Sequence, residues 1–168
     1  MQIKNHLKSE REGFSLVEII IVIAIMAILV GVIALAVIPN IGRSHESKDI
    51  QELDNIAASL NIAIANNQVA SGGSFILGEK TGLHDYEEKI YDAVETELGD
   101  LSQVKMESGA AQGGKIHVSW TGTDPTAAQI TVEVVDGSNN TLACEYTAGG
   151  SDDPVDADGK RLLKVGKN

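Results

Sequence analysis

Gly13-Phe14-Ser15-Leu16-Val17-Glu18, followed without a break by the apolar run Ile19 to Ile38, decides the fold of this chain. The run is twenty residues long, counting its alanines and Gly31 as apolar. At about 1.5 Å per residue it spans roughly 30 Å, the thickness of a bilayer's hydrocarbon core. One carboxylate, Glu18, stands at its mouth. Acidic groups at such positions are costly and mark function. A cleavable secretory signal has an apolar region of about 7–15 residues with a small-residue cut site after it. Here the run is longer, and Pro39-Asn40-Ile41-Gly42-Arg43 is a poor cut site. Any cut therefore precedes the run, which stays in the mature chain.

Charge sets the orientation. Lys4, Lys8 and Arg11 stand before the run against Glu10 and Glu12. Basic residues beside a membrane segment favour the cytoplasm, so the rest of the chain lies outside. The formal net charge is −11 at pH 7. This balance disfavours a general affinity for nucleic acid, and none is expected. The residues from Ser44 onward suffice for one core. Cys144 is the only cysteine, so no intrachain disulfide is possible. It falls on the apolar side of a strand pattern and reads as a small buried hydrophobe.

The helix continues past the apolar run. Ile50, Leu53, Ile56, Ala57, Leu60 and Ile64 recur at spacings of three and four, which is one helical stripe. Lys48, Asp49, Gln51, Glu52, Asn55 and Ser59 are assigned to the opposite face. The expected helix runs from Phe14 to about Gln68, with a kink or local unwinding at Pro39. Val69 to Gly82 reads as a loop around Ser71-Gly72-Gly73-Ser74. A second helix is expected over Tyr86 to Leu98, capped by Asp85 with Glu88 and ended by Gly99.

Three strands follow from period-two alternation: Lys115 to Trp120, Ile130 to Val134, and Leu142 to Tyr146. Asp136 to Asn140 reads as the hairpin between the last two. The fold class is α+β: a long N-terminal helix packed by a small antiparallel sheet of about three to four strands.

Over about residues 8 to 42 the sequence resembles the prepilins of type IV pili and the pseudopilins of type II secretion. The resemblance implies a leader, residues 1–13, removed by a prepilin peptidase that cuts between Gly13 and Phe14. It implies N-methylation of Phe14 and pairing of Glu18 with the amino terminus of a neighbouring subunit. Residues 14–42 would be the transmembrane and assembly helix, and residues 43–168 the exported globular domain. The implied partners are other copies of the chain and related pilins, the peptidase, an assembly platform protein and its ATPase. The precursor would be single-pass in the inner or cytoplasmic membrane with its C-terminus outside, and the mature subunit would enter an extracellular pilus. A secretion pseudopilin is the alternative. A membrane-anchored extracellular binding or enzymatic domain is the rival, and it leaves Gly13, Phe14 and Glu18 as coincidences.

Other motifs carry less. Asp152, Asp153, Asp156 and Asp158 form an oxygen-rich loop of a kind that suits calcium. The twelve-residue spacing and closing glutamate of a calcium loop are absent, so a solvated turn is the favoured reading and no cofactor is expected. Gly109 to Lys115 has the spacing of a phosphate-binding loop. Ile116 stands where Ser or Thr would hold magnesium, and a strand follows where a helix is needed. Asn139-Asn140-Thr141 fits a glycosylation acceptor. His45, His84 and His117 are scattered and no G-x-S-x-G elbow exists, so the expected role is structural rather than enzymatic.

Overall fold

The computed structural model describes residues 13–69, 71–122 and 128–167. The chain divides between Ile38 and Pro39 into two compact units.

The described part of the first unit is the opening of helix α1, Leu16–Asn67. From Leu16 to Ile38 no side chain is buried, on any side of the helix. Its length and composition are those of a membrane span.

The second unit opens on Pro39, and here one expectation changes. The helix is not unwound at this proline: α1 runs through it as helix on both sides. Proline deletes a single backbone bond, and its fixed φ is helical. Further on, the predicted stripe is the core: Leu53, Ile56, Ala57, Leu60 and Ile64 are all 0% exposed.

A four-stranded antiparallel sheet shares this core, in the order β1 (Gly73–Ile76), β2 (Lys115–Thr121), β3 (Gln129–Val135) and β6 (Lys164–Lys167). β2 is Lys115–Thr121 and β3 is Gln129–Val135, as the alternation predicts. Their apolar faces, Ile116, Val118 and Trp120 with Ile130, Val132 and Val134, are buried. The register sets Trp120 opposite Ile130 and Val118 opposite Val132. Burying one face fixes this register, because a one-residue slip would turn every core side chain to water.

β1, Gly73–Ile76, lies inside the segment expected to be a loop. Glycine and serine are poor strand formers, so local propensity hides it. Pairing with β2 and the burial of Phe75 create it. Phe75 meets Tyr91 and Trp120 edge-on, with ring centroids 5.2 and 6.0 Å away. The Trp120 indole donates to the Ser71 carbonyl at 2.9 Å.

α2, Asp85–Leu98, starts one residue earlier than expected. His84 is the cap residue, and Glu87 rather than Glu88 reaches back to it. Glu87 Oε2 accepts the His84 N–H at 2.9 Å, and Oε1 accepts the Ser74 N–H at 3.1 Å. One buried carboxylate thus ties the α2 start to the free edge of β1. Glu88 is exposed and faces Lys80 instead. Ile90, Tyr91 and Val94 are buried. Gly99 ends the helix at φ 85°, a conformation open to glycine.

The expected turn at Asp136 to Asn140 closes. Asp136 N–H donates to the Asn140 carbonyl at 2.9 Å, and the Asp136 carboxylate accepts the Ser138 and Asn140 amides. The expected hairpin partner then departs. β4, Ala143–Ala148, pairs with β5, Lys160–Leu162, in a separate two-stranded sheet. β6, Lys164–Lys167, takes the place beside β3. The exchange occurs at Leu163, whose N–H donates to Leu142 and whose carbonyl accepts from Val134. Its side chain is 0% exposed. β5 and β6 were not predicted: both are short, lysine-rich and without a clear apolar period.

Leu60→Ala removes a fully buried side chain and should cost about 2–5 kcal/mol. Ile62→Ala, two residues along but 52% exposed, should change stability by about 0.5 kcal/mol or less. Urea unfolding of the detergent-solubilised protein checks both.

Candidate processing and assembly site

The predicted cleavage residues stand at the helix start. A Cβ placed on Gly13 would meet nothing within 4 Å. Packing therefore does not demand glycine there. Phe14 is 84% exposed. Ser15 precedes the first helical residue, and its carbonyl accepts the Ile19 N–H at 3.2 Å. Its hydroxyl accepts the Val17 N–H at 3.3 Å. Glu18 Oε2 accepts the Ser15 N–H at 2.8 Å.

Ser15 and Glu18 thus make a reciprocal cap, with a serine at the cap position and a glutamate three residues on. The acid also lies at the positive end of the helix dipole, which favours it. Sequence reasoning singled out Glu18 and missed Ser15, although Ser-x-x-Glu before an apolar run is legible as a capping box. The leader bases Lys4, Lys8 and Arg11 lie outside the described residues.

Two further acids escaped the sequence reading. Glu46 and Asp49 are 1% and 2% exposed on α1. Asp49 had been assigned to the solvent face; it is buried because it continues the stripe of Leu53 and Ile56 by one turn. Asp49 accepts the Glu107 N–H at 2.7 Å and the Ser108 N–H at 3.0 Å. Glu46 accepts the Glu145 and Tyr146 amides and, at 2.6 Å, the Thr147 hydroxyl. Arg43 Nε donates to the Tyr146 carbonyl at 3.1 Å. The Tyr146 ring lies so close to Gly42 that a Cβ there would sit 2.2 Å from it. These contacts strap β4 across α1 from Gly42 to Glu46. The signal was present: acids at spacings of three and four that extend an apolar stripe into its next turn.

The other sequence candidates are placed as follows. Asp153 accepts the Gly150 N–H at 2.9 Å and meets Arg161 at 3.2 Å. Asp156 accepts the Asp158 and Lys160 amides. Asp152 and Asp158 are exposed. These carboxylates shape turns, and among the described residues no three His, Cys, Asp or Glu side chains gather to hold a metal. Gly109–Ala111 is a 3-10 turn, and Lys115, which opens β2, pairs with Glu79 at 2.6 Å. Asn139 is exposed at the β3–β4 turn with φ 67°. On the outer face of the sheet, burial opposes ionisation of Glu133. Hydrogen bonds from Thr141 and Lys164 outweigh it and hold this carboxyl below its usual range. Cys144 is buried as expected, and burial, reinforced by the charge of Glu46, pushes its thiol up to about 11.

Glu46→Gln keeps one acceptor but loses the charge shared among three donors, and should destabilise by about 1.5–3 kcal/mol. Urea unfolding reads this loss. The Cys144 thiol should resist iodoacetamide at pH 8 in the folded protein and react within minutes in denaturant. Because its folded pKa is raised, the native protein keeps the thiol protonated, and native reactivity should emerge only as pH approaches about 11.

Residues 8–37 match the family described as the prokaryotic N-terminal methylation motif. No curated protein and no solved structure matches the chain. The match covers residues 8–12, the Gly13-Phe14 junction, the Ser15–Glu18 cap and nearly all of the apolar run. Through this segment the chain carries the prokaryotic N-terminal methylation motif, which supports a type IV pilin-like prepilin.

Proposed function

We propose that this protein is a structural subunit of a type IV pilus-like filament, processed after Gly13 and methylated on the new amino terminus at Phe14. The observation that carries the reading is the methylation motif at residues 8–37, followed by a helix segment with no buried side chain. Gly13 supports it from the physical side: no neighbour requires a glycine there, so its presence fits recognition by a peptidase rather than packing.

The mature subunit waits in the membrane as a single span, with residues 43–168 outside. Removing the leader, with its three bases and two acids, takes the net charge from −11 to −12. Assembly transfers the apolar segment from lipid to a bundle of like segments, a small change of surroundings. Glu18 directs the step. Its Oε2 already caps Ser15, so a neighbour's methylated ammonium would take Oε1. A charge pair at low dielectric is strongly favoured over a lone carboxylate. Prepilin peptidase, platform protein and assembly ATPase are the partners this reading requires. The exported unit acts as fibre surface rather than as an enzyme.

Sheared filaments from the native host should carry N-methylated Phe14 as their first residue by mass spectrometry. An intact Met1, or protein confined to the membrane, would overturn the filament reading. Glu18→Ala should leave processed subunit in the membrane at normal levels and lower the sheared fibre yield at least tenfold. Normal fibre yield from that variant would remove Glu18 from assembly.

A further inference from the structure

We propose that the cavity between the end of β1, the start of β2 and residues 104–114 binds a small amphiphilic anion, a carboxylate on a short apolar chain. The site lies within the second unit and requires no filament.

The shape and wall come first. The cavity has a volume of about 300 Å³, at the lower end of the range for ligand pockets. At about 30 Å³ for each water-sized group, it holds about ten such groups. Ile76, Leu77, Val104, Met106 and Ile116 line it. The first four are only half-buried. The fold thus gathers four apolar side chains around one hollow and leaves them partly exposed. Apolar surface of this kind gains by taking up an apolar group. Met106 can shape itself to an irregular one.

Charge selects the ligand's head. Lys105, Lys115 and Glu79 complete the charged part of the lining. Lys115 Nζ meets Glu79 at 2.6 Å, so these two balance. Lys105 is exposed and forms no ion pair among the described residues. The lining therefore carries one positive charge in excess, on a chain of net charge −11. Two other cavities lack this combination. The one beside α1 sets Lys48 and Lys105 against Asp49, Glu52 and Glu107, with Val104 as its one apolar side chain. The one beside His117 has Glu79 as its one acid and no lysine or arginine. An anion is repelled by most of this surface and finds its complement where an apolar wall meets Lys105.

The backbone adds to the lining. Residues 109–115, with their phosphate-loop spacing, supply Gln112, Gly113 and Gly114. Gly114 is held tightly: a Cβ on it would fall 2.6 Å from the Val134 side chain and 2.8 Å from that of Leu142. Gly113 is the opposite. Its φ is 77°, a Cβ on it would meet nothing within 4 Å, and it forms no hydrogen bond to a described residue. Its N–H is thus available as a donor near Lys105 and Lys115. A strand and not a helix follows this turn, so the helix dipole that phosphate loops use is missing. One excess charge and an apolar wall suit a monoanionic carboxylate with an alkyl tail.

Equilibrium dialysis of radiolabelled octanoate against the full-length protein, with the same nonionic detergent in both chambers, tests this. The protein should take up about one equivalent with a Kd of about 1 mM or below. Lys105→Glu, at an exposed position, should weaken uptake at least tenfold, and Lys105→Arg should keep it within about twofold. Lys89→Glu makes the same charge change at an exposed lysine of α2 that has no ion pair among the described residues, and it should also stay within about twofold. Acetate, inorganic phosphate and octylammonium should each compete at least tenfold more weakly than unlabelled octanoate. Absence of protein-dependent uptake, full uptake by Lys105→Glu, or equal loss in Lys89→Glu would overturn the proposal. So would acetate or phosphate competing as well as octanoate, which marks an anion site with no use for the apolar wall. Equal competition by octylammonium would do the same, since it marks an apolar hollow indifferent to charge.

Discussion

α1 changes its surroundings partway along its length, and the rest of the structure follows from that change. From Ile19 to Ile38 it is apolar on every side, so its stable surroundings are lipid or other apolar helices. From Glu46 onward it is apolar on one side only. That side must be covered by something the chain itself supplies. The sheet supplies it: Leu53, Ile56, Leu60 and Ile64 form one core with Val118, Trp120, Val132 and Val134.

Full apolar burial on α1 begins at Leu53, and in the turns before it polar chemistry joins the half-buried Ile50. Glu46 and Asp49 occupy the next two stripe positions, where they are buried, and among the described residues no ion pair reaches them. Each accepts backbone amides from a segment that lacks a long strand partner: β4 for Glu46, and the turn at Glu107 and Ser108 for Asp49. A buried carboxylate is tolerable only when its oxygens are satisfied, and charge-assisted bonds to amides are among the stronger ones. Glu87 repeats the device at the edge of β1. Three acids thus join segments distant in sequence, a link that no disulfide can supply in a chain with one cysteine. The acids also match a feature of composition, since not all of the chain's negative charge is spent on its surface.

The N-terminal cap gives Glu18 two possible partners. In the single chain it closes the Ser15 cap. In a filament it would face a neighbour's amino terminus. The cap holds the carboxylate at the helix start and spares it an unpaired state in the single chain.

The sequence by itself determined the elements whose signal is local and periodic. The apolar run, the stripe on α1, α2, β2, β3 and the Asp136 to Asn140 turn are written in spacing of 3.6 or 2, and Gly13, Phe14 and Glu18 are written in a short motif. Tertiary structure decided whatever depends on a distant partner. β1 is a strand because β2 lies beside it, despite Gly73 and Ser74. β4 leaves β3 because Leu163 is buried between Leu142 and Val134 and delivers β6 to the open edge. Asp49 is inside because the amides of Glu107 and Ser108, 58 and 59 residues away, are there to receive it. Local sequence carries propensity and periodicity; the satisfaction of a buried charge or of a strand edge is a property of two segments at once, and only the folded chain brings them together.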